Sequence, residues 1–216
     1  MEHVTAEDIE KMEPIFRRNL VNSSTGYKSA NLLATRSPRG ISNVAVFNSV
    51  FHLGSHPPML GIVLRAKTAP RGTYENIRNT GYFTVNHLQE NLIEQAHQTT
   101  VQQDEGEPDF GIPGLDQEFL DDFFAPYVKQ SSIKLGCKYI SEYQIKENAA
   151  LILVASIEHI YFEAGIEMPD GWLRLEDAGS VVINGLDGYA LPSLLDRFQY
   201  AKPGKEIKSF FKDAKL

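Results

Sequence analysis

Arg65, Lys67 and Arg71 stand close together just ahead of Thr73. The residues that follow, from Thr73 to Thr80, are helix formers bounded by Gly72 and Gly81. The cations therefore lie where a helix start already offers unpaired backbone N–H groups and the positive end of its dipole, a combination that suits a phosphate. Thr73 can cap that helix or donate to the same anion. A solvated basic loop with an ordinary threonine N-cap explains the stretch at least as well. A second stretch, Gly40 to Val50, is unusual in another way: Asn43, Ala45, Asn48 and Ser49 interrupt what Ile41, Val44, Val46 and Phe47 would make a plain apolar strand. Small and amide side chains let backbone N–H and C=O groups approach a flat ring edge-on, although a barrel strand with a bulge accounts for them equally.

Side-chain nucleophilic catalysis finds no support, since G-x-G-x-x-G, Walker, G-x-S-x-G and H-E-x-x-H patterns are all missing. No catalytic side chain is assigned. His52 and His56 have the spacing of a helical metal pair, but Gly54 and Pro57 between and beside them argue against a helix and for a loop. His87 and His97 read as surface or satisfied interior imidazoles. His159, close to Tyr161, reads as a structural ring.

A net charge of -7 disfavours a general nucleic-acid binder, because a phosphate backbone rewards surplus cations. The longest apolar run, Ala149 to Ile157, is too short to span a bilayer. The opening residues lack the basic and apolar regions of a secretory signal, and the lone Cys137 suits a reducing compartment, so the expected location is the cytoplasm. With 216 residues the chain can close one generous core, and a single domain over 1–216 is expected.

These chemically interesting stretches need elements to position them. Thr5-Ala6-Glu7-Asp8 resembles a capping box opening one short N-terminal helix that ends before Gly26. A strand from Ser29 to Thr35, a turn over Ser37 to Gly40 and a partner from Ile41 to Phe47 form a hairpin. Pro57-Pro58 leads into Met59 to Leu64, apolar enough to be buried on both sides. Tyr82 to Asn86 is another strand. A helical insertion is expected around 88–130, with helices over Asn91 to Gln103 and Gln117 to Val128 and a Gly/Pro-rich loop over Asp104 to Asp116 between them. The acidic stretch Val101 to Asp116 suits either a lid or a solvated excursion. Alternation then marks two strands, through Tyr139 to Ile145 and Ile152 to Ile160, joined by a turn at Glu147-Asn148. Strands outnumber helices and do not alternate strictly with them, so the expected fold class is mainly β with α decorations, a β-barrel.

In order and spacing, five segments resemble the flavin reductase-like family of FMN-binding split β-barrels. They are Asn43-Val44-Ala45-Val46-Phe47-Asn48, Pro57-Pro58, Arg71-Gly72-Thr73-Tyr74-Glu75-Asn76-Ile77, Thr80-Gly81-Tyr82-Phe83 and Val85-Asn86. Gly185 to Tyr189 looks like the family's late Gly-rich turn, and the resemblance runs from about Arg18 to about Pro203. The chain departs from the family pattern at Val46, Asn48, Arg71 and Gly72. Asn148-Ala149-Ala150 also stands where many members carry Gly-Asp-His.

The resemblance implies FMN at a homodimer interface, reduced by NADH or NADPH, in a flavin reductase that could supply a monooxygenase. It assigns Arg65, Arg71 and Thr73 to the phosphate. It places Asn43, Val44, Ala45, Asn48 and Ser49 along the ring or ribityl chain. An FMN-dependent oxidoreductase acting on another small substrate, a non-catalytic flavin-binding protein and a barrel for some other apolar ligand remain as alternatives.

Overall fold

The computed structural model describes residues 1–64, 72–101 and 109–211. Two helices, α1 (Ala6–Lys11) and α2 (Pro14–Ser24), precede strands β1 (Lys28–Ser29), β2 (Asn31–Arg36), β3 (Ser42–Phe47), β4 (Val50–Ser55) and β5 (Pro58–Leu64). Then come α3 (Thr73–Thr80), β6 (Tyr82–His87), α4 (Ile93–Gln98), β7 (Gln117–Glu118) and β8 (Tyr127–Val128). The long strands β9 (Ile133–Gln144) and β10 (Leu151–Phe162) follow, and the short β11 (Val182–Asn184) and β12 (Gly188–Ala190) complete the order. Seven strands form one antiparallel sheet in the order β3-β2-β6-β9-β10-β5-β4, and β1-β11-β12 form a second, smaller sheet. The edge strands β3 and β4 do not pair with one another, which leaves the barrel split. The architecture is mainly β with helical decorations, as expected. Among the described residues no helix is long and apolar enough to cross a membrane.

The core divides between the two faces of the large sheet. Leu33, Leu60, Ile62, Phe83, Val85, Cys137 and Leu153 pack with Ile77 of α3 on one face. Leu32, Ala34 and Val44 pack on the other with Leu88, Leu92, Ala96 and Val128. The side-chain period of two in a strand sends Leu32 and Leu33 to opposite cores, so both faces are covered and β2 is buried from Asn31 to Thr35.

Local chemistry explains where the elements match expectation and where they differ. Thr5 and Asp8 exchange cap bonds as foreseen: Asp8 Oδ2 accepts from Thr5 N at 2.9 Å and Thr5 Oγ1 from Asp8 N at 3.2 Å. The single N-terminal helix expected is in fact two, because Pro14 restarts the chain as the first residue of α2 while Glu13 accepts from the N–H groups of Ile15 and Phe16. The β2–β3 turn closes with Gly40 at φ +86°, and α3 stops at Gly81 in the left-handed region, φ +78°.

Three further expectations need correction. First, Gln117–Val128 is not a helix: Asp121 and Asp122 both adopt positive φ, 48° and 56°, and Pro126 follows. The apolar residues there pack by tertiary contact instead, Phe123 and Tyr127 against Tyr82 and Tyr161. Second, the helix foreseen over Asn91–Gln103 is a single 3-10 turn at Glu90–Leu92 followed by α4, which ends where Thr99 turns its hydroxyl back onto Ala96 O at 2.6 Å. Third, His52 is not in a loop. It lies on β4 opposite Leu60, while His56 sits in the tight turn to β5. An edge strand holds itself by backbone pairing, so the exposed side chains of β4 carry no apolar alternation that would announce it. The alternation of β10 is also interrupted, by register shifts at Val154/Ala155 and Ile157/His159.

Candidate functional site

The β2–β3 hairpin and the start of α3 converge on one small cradle. Asn43 pairs across the hairpin with Thr35, and Thr35 Oγ1 accepts from Asn76 Nδ2 on α3 at 3.0 Å. Thr73, fully buried, points its hydroxyl at Asn43 Oδ1, 3.5 Å away. Gly72 has φ +98°, and a Cβ added there would stand 3.0 Å from Asn43 Nδ2, so only glycine lets the chain pass this close to the amide. Gly72 N donates to Glu75 Oε2 at 3.1 Å. The N–H groups of Thr73, Tyr74 and Glu75 begin the helix and have no partner within it. α3 is pinned to the sheet along its outer face: Tyr74 Oη donates to Glu142 at 3.0 Å, and Arg78 reaches Tyr139 Oη at 2.5 Å.

β3 carries this cradle at one end and a cavity at the other. Val46 donates its N–H away from β2, to Thr99 Oγ1 at 3.0 Å. By the alternation of an antiparallel strand, Val44 turns its N–H and C=O to that same side. Just beyond the strand, Asn48 Nδ2 donates to Gly185 O at 2.9 Å, tying the strand's end to the β11–β12 turn. Between that turn and α4 lies a cavity of about 490 Å³ lined by Ile93, Glu94, His97, Gln98, Asp187 and Tyr189. His97 Nδ1 lies 3.2 Å from Tyr189 Oη, and burial raises the Tyr189 phenol above its ordinary pKa.

The sequence candidates therefore separate into groups. Asn43 and Thr73 are brought together. Val44 and Ala45 are buried; Val44 offers its backbone to anything lying along β3, whereas the N–H and C=O of Ala45 face Leu33 of β2 by the same alternation. Asn48 and Ser49 have their side chains engaged with backbone carbonyls, Ser49 Oγ donating to Val63 O at 2.7 Å, and serve to join strands. Arg65 and Arg71 lie outside the described residues. Residue-by-residue reading assigned no role to Gly72, Asn76 or the His97–Tyr189 pair. Asn76 carried a signal in the motif spacing and Gly72 stood out as a departure from it, whereas the pair joins residues 92 positions apart and is visible only in the fold. His159 is a structural ring: it stacks on Tyr161 at 6.0 Å and meets Phe123 edge-on at 5.4 Å.

Comparison with known proteins bears on this arrangement. The model of the flavin reductase like domain matches residues 26–188. A candidate flavin reductase with a split barrel domain from Shewanella frigidimarina NCIMB 400 is 37% identical in sequence. Its structure superposes with a TM-score of 0.90 over 93% of this chain and 100% of its own. Nitrilotriacetate monooxygenase component B from Bacillus cereus shares the fold at 15% identity and a TM-score of 0.77, covering 94% of this chain and 98% of its own. The 2-nitrobenzoate 2-nitroreductase NbaA of Pseudomonas fluorescens does so at 18% identity and 0.75, covering 94% and 97%. With most of its length matched and its Asn43–Gly72–Thr73 cradle inside the matched span, the chain belongs to the flavin reductase like domain family, a split-barrel family of flavin-related oxidoreductases.

Proposed function

We propose that the protein binds FMN, with the phosphate at the start of α3 and the ring along β3, and that it transfers hydride from NADH or NADPH to that flavin. The observation that carries the reading is the Gly72–Asn43 approach, a gap that a Cβ would fill at the N-terminus of a helix whose first N–H groups lack helical partners. Such a terminus favours a dianion through both its donors and its dipole. Arg65, Arg71 and Thr73 are the residues proposed to complete the phosphate site.

When bound, flavin accepts hydride at its own ring and passes electrons onward, so the chain is asked for orientation and shelter rather than for an acid or base. Val44, through its backbone, and Asn43, through its amide, orient the ring edge. Thr99 and Asn48 hold the two sides of β3's far end in place. The cavity beside His97 and Tyr189 is of the size that small-molecule sites require. We place the protein in the cytoplasm as a homodimer, a reading supported by the buried free thiol of Cys137 and by the family. A partner monooxygenase would consume the reduced flavin, as the name of the Bacillus cereus relative suggests by analogy.

One observation favours a second reading, an FMN enzyme that acts on another small substrate or a flavin carrier. The β9–β10 turn holds no imidazole: Asn148 Oδ1 accepts the Ala150 N–H at 2.9 Å, and Ala149 sits at φ +57°. Anaerobic addition of NADH or NADPH separates the readings, since bleaching of the flavin at catalytic rates supports the reductase and none supports the alternatives.

The phosphate assignment has its own test. Arg71→Ala/Thr73→Ala should weaken FMN binding by about a hundredfold, in line with removing a charge-assisted contact and a hydroxyl. Equilibrium dialysis that returns wild-type affinity removes the assignment. Gly72→Ala should weaken FMN about tenfold by pushing Asn43 aside. Gly81→Ala is its control, having a positive φ but nothing within 4 Å of the new Cβ, and should cost about 1 kcal/mol of stability with FMN affinity unchanged.

A further inference from the structure

Both ends of the chain stand away from the barrel with apolar side chains uncovered. Neither α1 nor α2 has a buried residue, and neither packs on another helix or strand by more than a grazing contact. On α2, Ile15 is 58% exposed and Phe16 60%. Helices this short are marginal in water without a surface to lie on. At the other end, Gln199 N donates to Lys208 O at 2.9 Å and Phe210 N to Arg197 O at 2.8 Å, forming a small hairpin. Its base is locked: Arg197 bonds Asp170 at 2.6 Å and sits over the rings of Trp172 and Phe210 at 4.8 and 4.4 Å. Its outer part is not, for Tyr200 is 93% exposed and Ile207 66%.

The two ends are complementary in charge. The first thirteen residues carry Glu2, Glu7, Asp8, Glu10 and Glu13 against Lys11, which pairs with Glu7, and α2 adds Arg17 and Arg18 beyond Ile15 and Phe16. The hairpin presents Lys202, Lys205 and Lys208 against Glu206 around Tyr200 and Ile207, in a chain whose net charge is -7. Because the apolar residues of both ends remain exposed, the two do not cover one another within a chain. We infer that the N-terminal helix pair of one copy docks on the basic C-terminal hairpin of a second copy, reciprocally, so that both ends clamp a two-fold dimer. A two-fold interface uses each complementary pair twice, which suits a chain that carries both halves. The inference rests on the homodimer reading above and names the segments that hold it.

Sedimentation of the full chain against concentration, together with charge reversal, tests it. Lys202→Glu/Lys205→Glu/Lys208→Glu should weaken dimerisation about tenfold or more, and adding Glu7→Lys/Glu10→Lys to the same chain should restore it. In wild-type dimers mixed from light and isotopically heavy copies, carbodiimide should join lysines at 202–208 to carboxylates at 7–13 between heavy and light chains. A protein that stays monomeric at all concentrations overturns both the homodimer reading and this inference. A dimer that ignores both reversals and gives no such heavy-light links overturns the clamp alone.

Discussion

Alanine at Gly136 should destabilise the fold by about 2–3 kcal/mol, the range for forcing extra volume into a packed interior. The new Cβ would land inside van der Waals contact of Tyr127 Oη, and lie 3.2 Å from His159 Cβ and 3.3 Å from the Phe123 ring. Tyr127 has no room to yield, being fully buried, edge-on to Tyr161 at 5.3 Å and tilted against Phe123 at 5.7 Å. The position Gly61 is the informative comparison. A Cβ there would press just as hard on the ring of Phe51, but Phe51 is 36% exposed on an edge strand and can swing outward. Gly61→Ala should therefore stay within about 1 kcal/mol of wild type. Tyr127→Phe in the Gly136→Ala background should recover part of the loss, because the hydroxyl is the atom struck. Urea midpoints of the four proteins at constant m-value read this directly. Equal midpoints for the Gly136 and Gly61 variants would mean that the aromatic cluster is not rigid.

Acid should cost this protein stability through His87. Burial at the end of β6 pushes its imidazole pKa from 6.5 down to about 4, and its Nδ1 faces Ser180 Oγ at 3.3 Å. The folded state thus binds a proton less readily than the unfolded chain. Above pH 6.5 both states are neutral at this residue and it leaves stability unchanged. As pH falls from 6.5 towards 4 the unfolded chain takes up the proton first and stability declines, and below about 4 the loss is complete. The ring edge keeps some solvent contact, so the full shift is discounted to about 2 kcal/mol. His87→Gln, which retains polar atoms beside Ser180 but does not titrate, should lose about 2 kcal/mol less than wild type over that window. Parallel pH–stability curves for the two proteins would show that His87 is not responsible.

Much of the fold was legible because it is written in local chemistry. Gly72 and Gly81 bracket α3 because each supplies a positive φ at a helix boundary, and the short apolar run into Leu64 behind Pro57-Pro58 suits a strand buried on both faces. The elements that resisted reading are those held by distant partners. β4 exists by backbone pairing to β5, the segment Gln117–Val128 is shaped by aromatic packing on β6 and β10, and Pro14 splits a helix whose pattern otherwise looks continuous.

The candidate site divides in the same way. Order and spacing of Asn43, Thr73 and Asn76 were enough to suggest a flavin-binding family, since a phosphate at a helix start and small residues along a ring edge are local requirements. That Asn48 and Ser49 spend their side chains on Gly185 and Val63, and that His97 meets Tyr189 beside a cavity, depended on strands far apart in the chain coming together. Hydrogen-bond partners across such separations are chosen by the packing of the whole barrel. A residue's type states what it can donate or accept, and only the tertiary structure decides to whom.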